Sequence, residues 1–135
     1  MKIAYVSAFD PISKSSWSGC SYFLAKALDK ASSTELEFVG PLHSPKSPVL
    51  AGKKLYYRAR KINYLSTVDP RTLKYYSAQV SAAIEDINPD VVISLGALPI
   101  AFLQTNLPLI YFWDCTFLGN LEYPWFSRLS SESIR

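Results

Sequence analysis

The chain has 135 residues, 49% of them hydrophobic and 19% charged, so it can form one domain with a core and has little room for a second. The net charge of +3 is too mild to indicate a nucleic-acid partner. Cys20 and Cys115 are too few for a disulfide framework and no apolar run reaches the roughly 18 residues of a membrane span, so we expect a reduced, cytoplasmic protein.

The first half of the chain predicts a strand, a helix and a second strand. KIAYVSA at residues 2–8 is a near-continuous apolar run, which is typical of a buried parallel strand. After the bend SWSG at residues 16–19, apolar residues recur at helical spacing as far as Ala31. ELEFV at residues 35–39 then predicts the second strand.

The middle of the chain is less regular. HSPKSPVLAG at residues 43–52 contains two prolines and a glycine and predicts a loop. A helix with one apolar and one basic face is expected next, its apolar positions being Leu55, Ala59, Ile62 and Leu65. Asp69 and Pro70 predict the N-cap and first position of a further helix, which Asn88 and Pro89 end.

The last part of the chain predicts two more strands, DVVISL at residues 90–95 and PLIYFW at residues 108–113, with a short helix between them. Alternating strands and helices predict an α/β fold, a Rossmann-like parallel sheet with helices on both faces. In such sheets ligands bind beyond the carboxyl ends of the strands. The candidate loops are therefore residues 9–19, 96–97 and 114–116.

These segments together resemble the N-terminal domain of a family 4 glycosyltransferase of the GT-B fold. The resemblance covers nearly the whole chain and rests on KIAYVSAFDP, SWSG before a helix, NPDVVISLG, LPLIYFWDCTF and YPWFSRLSSES. Such enzymes hold the acceptor mainly in the N-terminal domain and the nucleotide-sugar in a C-terminal domain. The resemblance implies a retaining, metal-independent transferase without a cofactor. It also implies that residues 1–135 are a truncated acceptor-side domain, inactive without the missing donor-binding domain.

The loop before the first helix supplies four candidate substrate-binding residues. Gly19 would let a phosphate or sugar approach free backbone amides at the helix N-terminus, and Ser18 lies beside it. The alternative is that Ser18 or Gly19 simply caps the helix. Trp17 could stack on a sugar or cover the cleft, although packing over the sheet edge is slightly favoured. Asp10 is a weaker candidate, because the alternative is that it does no more than start a turn with Pro11.

Asp114 is the catalytic candidate, because it follows a predicted buried strand and its carboxylate could orient an acceptor hydroxyl. Many family members have a His-Asp pair here, whereas this chain has Trp113-Asp114, so only the Asp role carries over. The alternative is that Asp114 caps the next turn. Gly96, after the third strand, is a further substrate-binding candidate. We interpret His43 as a loop residue without a catalytic role, and the two cysteines as buried and unreactive.

Residues 46–61 form a basic segment without Asp or Glu. A solvated helix face is the favoured interpretation, and peripheral contact with an anionic membrane or a charged acceptor comes second. Nucleic acid is disfavoured because no binding motif accompanies the charge. For the whole chain, the alternative to a transferase domain is a stand-alone or degenerate α/β binding module without catalytic activity.

Overall fold

A parallel β-sheet forms the centre of the protein. The computed structural model describes residues 1–31, 33–114, 116, 119, 121, 123 and 126–134. Within them, the strands are β1 (Lys2–Ser7), β2 (Glu35–Val39), β3 (Val91–Leu95) and β4 (Leu109–Phe112). They lie in the order β2-β1-β3-β4 and every pair is parallel. The predicted α/β, Rossmann-like sheet is confirmed.

Helices connect and flank these strands. They are α1 (Cys20–Lys30), α2 (Pro48–Ala59), α3 (Pro70–Ile87) and the single-turn α4 (Ser131–Ile134). Short 3-10 segments precede α1 at Ser16–Gly19 and follow β3 at Leu98–Ile100. Among the described helices, none has the length and apolar character that crossing a membrane requires.

The sheet is packed on both faces, as predicted. Because successive strand residues point to opposite faces, Ile3 and Tyr5 of β1 lie on one side and Ala4 and Val6 on the other. The first side packs against Ala25 of α1. The second side packs against α3 through Val80 and Ile84. The two apolar clusters therefore bury both faces of the central strand.

A hydrogen-bond chain joins β1, α1 and the loop between them. The Tyr5 hydroxyl donates to the carbonyl oxygen of Ser21 at 2.8 Å, and the Ser21 hydroxyl donates to the carbonyl oxygen of Pro11 at 2.8 Å. Burial raises the pKa of Tyr5, so the phenol stays protonated as a donor. The first candidate loop is thus held against the start of α1.

The strand β4 is the least buried of the sheet. All of its residues are exposed, with exposed fractions between 43% and 56%. It lies at the sheet edge, pairs with β3 and contributes no residue to either apolar cluster. The expectation that Asp114 follows a buried strand is therefore wrong, because the apolar run before it is an edge strand.

The helix α2 begins and ends earlier than predicted. Ser47 is its N-cap and Pro48 its first residue, so the second half of the predicted loop at residues 43–52 is helical. The helix stops before Lys61, whose φ of 56° lies in the left-handed region. The last two apolar positions of the predicted helix consequently fall in the following loop.

The N-terminus of α3 is built as predicted from Asp69 and Pro70. The Asp69 side chain is only 1% exposed, and its Oδ1 accepts the Arg71 N–H at 2.9 Å. Its Oδ2 accepts from the Tyr64 hydroxyl at 2.5 Å and from Lys53 Nζ at 3.0 Å. Burial acts to raise the pKa of Asp69, but these three donors outweigh it, so the pKa lies below its ordinary value.

We expect Asp69→Ala to lower the free energy of unfolding at neutral pH by about 2–4 kcal/mol, since it removes a helix cap and the acceptor shared by Tyr64 and Lys53. Asp86→Ala, at an exposed position of the same helix, should change it by less than about 0.5 kcal/mol. Urea denaturation of both variants measures this. Equal losses in the two variants would contradict the assigned role of Asp69.

The same carboxylate predicts a pH dependence. Its folded-state pKa is depressed, so its contribution to stability is present above the unfolded-state pKa of about 4 and is lost as pH falls through the folded-state pKa. The gap in urea midpoint between the wild-type protein and Asp69→Ala should therefore narrow as pH is lowered from 7 to below 3. A constant gap would show that ionisation of Asp69 contributes nothing.

Candidate functional site

Residues from two candidate loops, Trp17 and Gly96, meet Trp113, which precedes the third loop, at the carboxyl edge of the sheet. Trp17, from the loop before α1, stacks on Trp113, which follows β4, with ring centroids 5.0 Å apart and planes inclined by 21°. Trp17 also contacts Phe112 edge-on at 5.8 Å. The indole of Trp113 lies in turn against Gly96, after β3. An aromatic contact thus joins loops that are far apart in the sequence.

The Trp113 indole packs directly against the backbone of Gly96. Its φ is 85°, and a Cβ at this position would lie 2.4 Å from Cζ3 of Trp113, far closer than atoms can approach. The Gly96 N–H donates to the Phe112 carbonyl oxygen at 2.9 Å, and the Ser94 hydroxyl donates to the Gly96 carbonyl oxygen at 2.9 Å. The structure therefore gives Gly96 a supporting position beneath an indole, and its substrate-binding role stays a prediction.

The bend SWSG has an unusual backbone. Trp17, Ser18 and Gly19 all have positive φ, at 47°, 53° and 82°. A left-handed conformation costs a residue with a side chain roughly 1–2 kcal/mol, so this turn is strained at Trp17 and Ser18. At Gly19, a Cβ would also lie 3.2 Å from the Lys14 carbonyl oxygen. The strained turn holds the Trp17 indole against the sheet edge.

The N-terminus of α1 has no side-chain cap. Gly19 occupies the N-cap position without a side-chain hydrogen bond, and the first turn contains no acidic residue. Ser18 is exposed and does not cap the helix. The Cys20 N–H donates to the Trp17 carbonyl oxygen, and the amides that follow it carry the positive end of the helix dipole without a neutralising side chain, a local environment that favours anions. Of the two residues considered as caps, Gly19 therefore occupies the N-cap position through its backbone alone, and Ser18 does not cap the helix.

The two candidate carboxylates have different surroundings. Asp10 is exposed, and its Oδ1 accepts the Ile12 N–H at 3.0 Å, which is the turn-forming role. Asp114 is exposed beside Trp113, and its carboxylate makes no hydrogen bond or ion pair with the described residues. The Gly119 N–H donates to Oγ1 of Thr116 at 3.1 Å and not to Asp114. Asp114 is therefore free to accept a hydrogen bond from a ligand.

The crevice beside the tryptophan pair is almost filled. Its walls include Ser7, Ser16 and Leu95 as well as Trp17 and Trp113, and its volume is about 10 Å³. That is the space of about one water molecule. A sugar or nucleotide can enter only if an indole moves, and Trp17 is the one carried by a loop.

The structure confirms the interpretation of His43 and corrects that of Cys20. His43 is exposed, and its backbone N–H and carbonyl oxygen both bond to the Gln79 side chain, at 3.0 and 2.9 Å, as expected of a loop-packing residue. Cys20 is exposed, so the interpretation of a buried thiol is wrong, because the first residue of α1 faces solvent. Cys115 lies outside the described residues.

The basic segment is only partly a solvated face. Lys53 forms ion pairs with Asp69 and Glu132, and the Arg60 guanidinium lies 4.6 Å from the centre of the Tyr56 ring. The sequence did not reveal the cluster of Lys53, Asp69 and Glu132, because these three charged residues lie far apart along the chain. Sequence reasoning treated Trp113 only as a departure from a family pattern, although its place before Asp114 was a signal for a site residue.

No family model, curated protein or solved structure matches the chain. The resemblance to a glycosyltransferase domain therefore rests on the segments quoted above. What the fold adds is that Trp17, Gly96 and Trp113, each from a different one of those segments, lie together at one edge of the sheet.

We expect Gly96→Ala to lower the free energy of unfolding by about 2–4 kcal/mol, because it strains a left-handed backbone and displaces Trp113. Gly52→Ala is the matched control. Gly52 lies inside α2 with open space around it, so a methyl group there should raise stability by about 0.5–1 kcal/mol. The exciton circular dichroism of the stacked indoles should weaken only in Gly96→Ala. A stable Gly96→Ala variant with an unchanged circular dichroism signal would contradict the packing of Trp113 against Gly96.

Proposed function

We propose that this chain is the acceptor-side domain of a glycosyltransferase that moves a sugar from a nucleotide-sugar to an acceptor hydroxyl. The observation that supports the proposal is the contact of Trp113 with both Trp17 and Gly96, since Trp17 belongs to the strained bend and Trp113 directly precedes Asp114. In open α/β folds the carboxyl edge of the sheet is where ligands bind. A donor-binding domain outside this chain and a cytoplasmic location are parts of the proposal.

In this proposal Asp114 orients the acceptor. Its carboxylate is exposed and unpaired among the described residues, so it can accept a hydrogen bond from a sugar hydroxyl and hold the oxygen toward the donor. The uncapped amides at the start of α1, behind Ser18 and Gly19, face the donor phosphates. Acceptor and donor groups would then meet beyond the carboxyl ends of β1 and β4.

Trp17 acts as a movable cover in the proposed reaction. The crevice it closes has room for about one water molecule, so substrate binding requires the Trp17–Trp113 stack to open. The strained backbones of Trp17 and Ser18 raise the free energy of the closed state, so opening the stack costs less than it would from an unstrained turn. Once uncovered, the face of Trp113 offers an apolar platform for a sugar ring.

The filled crevice also favours a second candidate, a binding module without catalytic activity. If Trp17 and Trp113 stay stacked, the edge has no space for two substrates, and the domain would act through its surface alone. The two candidates differ in one measurable property. A transferase domain must support turnover in the complete protein, and a degenerate module must not.

We expect Asp114→Asn in the complete protein to lower kcat for sugar transfer by about 10²-fold or more, because an amide is a far weaker hydrogen-bond acceptor than a carboxylate. Asp29→Asn, at an exposed position of α1, is the charge-matched control and should leave kcat within about twofold. The assay measures release of nucleoside diphosphate from a panel of uridine and guanosine diphosphate sugars with a mixed glycan acceptor. Unchanged turnover in Asp114→Asn would remove its catalytic role, and no turnover in the wild-type protein would favour the binding module.

For the basic segment at residues 46–61 we propose peripheral contact with an anionic membrane. On α2, Leu55 is 71% exposed and Val49 is exposed too, alongside Lys54 and Arg58. Exposed apolar side chains flanked by cations are typical of a helix that lies in a membrane interface.

We expect Leu55→Ser to reduce binding to vesicles containing an anionic lipid by about tenfold or more, since burial of a leucine contributes roughly 1.5–3 kcal/mol. Phe23→Ser, at a similarly exposed site on α1, is the control and should have no effect. Co-sedimentation with vesicles measures both variants. Equal loss in both, or no binding by the wild-type protein, would contradict membrane contact through α2.

A further inference from the structure

A second pocket lies between the first turns of α2 and α3. Its volume is about 260 Å³. Its polar lining is made of hydroxyl and amino groups, from Ser44, Lys46, Ser47, Lys54, Ser66 and Thr72. It shares no lining residue with the crevice beside Trp17 and Trp113, and the proposed transfer reaction makes no use of it.

Thr72 is an anomaly in this pocket. The residue is 1% exposed, and its Oγ1 is buried without a hydrogen-bond partner in the part of the chain that the structure describes. Other buried hydroxyls have partners at 2.8–3.1 Å, namely those of Ser21, Ser77 and Ser94. An unpaired buried hydroxyl costs about 1–3 kcal/mol, so such groups usually have a partner, and none of the described protein atoms supplies one for Thr72.

The electrostatic surroundings favour a negative partner. Lys46 and Lys54 line the pocket, and no carboxylate among the described residues lies within ion-pair distance of either. No Asp or Glu contributes to the lining. The carboxylate nearest to Thr72 along the chain, that of Asp69, is already bonded to Tyr64 and Lys53. The two lysines thus give the pocket an uncompensated positive charge.

One helix N-terminus adds to this charge. Ser47, the N-cap of α2, lies in the wall of the pocket, and the first turn of this 12-residue helix contains no acidic residue. The positive end of its dipole can therefore act on a bound anion. The N-terminus of α3, where Thr72 lies, adds no such charge, because the Asp69 carboxylate caps it.

We propose that this pocket binds a phosphoryl group. Hydroxyl donors, two ammonium groups and the N-terminus of α2 match the oxygens of a tetrahedral dianion, and a phosphoryl oxygen would supply the partner that the Thr72 hydroxyl lacks. The volume is below the roughly 300–1,000 Å³ of pockets for larger ligands, so it suits a phosphate with a few attached atoms. A phosphomonoester and an anionic lipid headgroup both present this group.

The test uses the full chain and inorganic phosphate, with binding followed by calorimetry and by the amide resonances of Ser47 and Thr72. Thr72→Val keeps the shape of the side chain and removes the hydroxyl. We expect it to weaken phosphate binding about tenfold or more while leaving the free protein at least as stable as the wild type, since it removes an unpaired polar group. A merely structural hydroxyl, bonded to water, would give the opposite pattern of lower stability and unchanged binding, and that result would overturn the proposal.

A charge-matched pair of variants tests the location. Lys54→Gln should weaken phosphate binding about tenfold, whereas Lys30→Gln, on α1 across the sheet, should leave it unchanged. Equal losses would show that only the net charge of the protein attracts phosphate, and no measurable binding by the wild-type chain would also overturn the site.

Two further arms distinguish the sources of the phosphoryl group. In the first, glycerol 3-phosphate is titrated in place of phosphate. In the second, the chain is mixed with phosphatidylcholine vesicles with or without phosphatidic acid. A headgroup site predicts that Thr72→Val lowers binding to the phosphatidic acid vesicles. A site for a free phosphomonoester predicts that Thr72→Val lowers glycerol 3-phosphate binding and leaves vesicle binding unchanged.

Discussion

The parallel pairing of β1 with both β2 and β3 is the constraint on which the rest of the molecule depends. This strand is hydrogen-bonded along both edges and buried on both faces, so α1 and α3 must pack on opposite sides of it. Because the strands run in one direction, their carboxyl ends share an edge, and the loops that follow them gather there. The bond from the Tyr5 hydroxyl to Ser21 then holds the start of α1 at that edge.

The glycine at position 96 determines how these loops meet. Without a side chain there, the indole of Trp113 lies against the backbone, and Trp17 can stack on its other side from a left-handed turn. The stacked rings close the crevice, whose volume is about 10 Å³. The pocket between α2 and α3 has its charges in place without such a cover. The chain thus combines a closed aromatic site and an open cationic one.

Local sequence patterns predicted the strands and helices. They could not predict the contacts between residues that are distant in the sequence. The run ELEFV forms a strand over the residues expected, and Asp69 and Pro70 begin α3, because burial and capping are encoded within a few positions. The stack of Trp17 on Trp113 depends on sheet order and on a backbone turn that no periodicity encodes. An apolar run such as that of β4 likewise says nothing about what covers it, so its exposure could not be foreseen.

The most direct test of a single site at the sheet edge is proton cross-relaxation between the indole rings of Trp17 and Trp113 in solution. Rings stacked with centroids 5.0 Å apart predict strong cross-peaks between the two indoles, and their loss when Gly96 is replaced by alanine. Cross-peaks from Trp17 to α1 alone, with none to Trp113, would mean that the loops do not meet and would contradict the site.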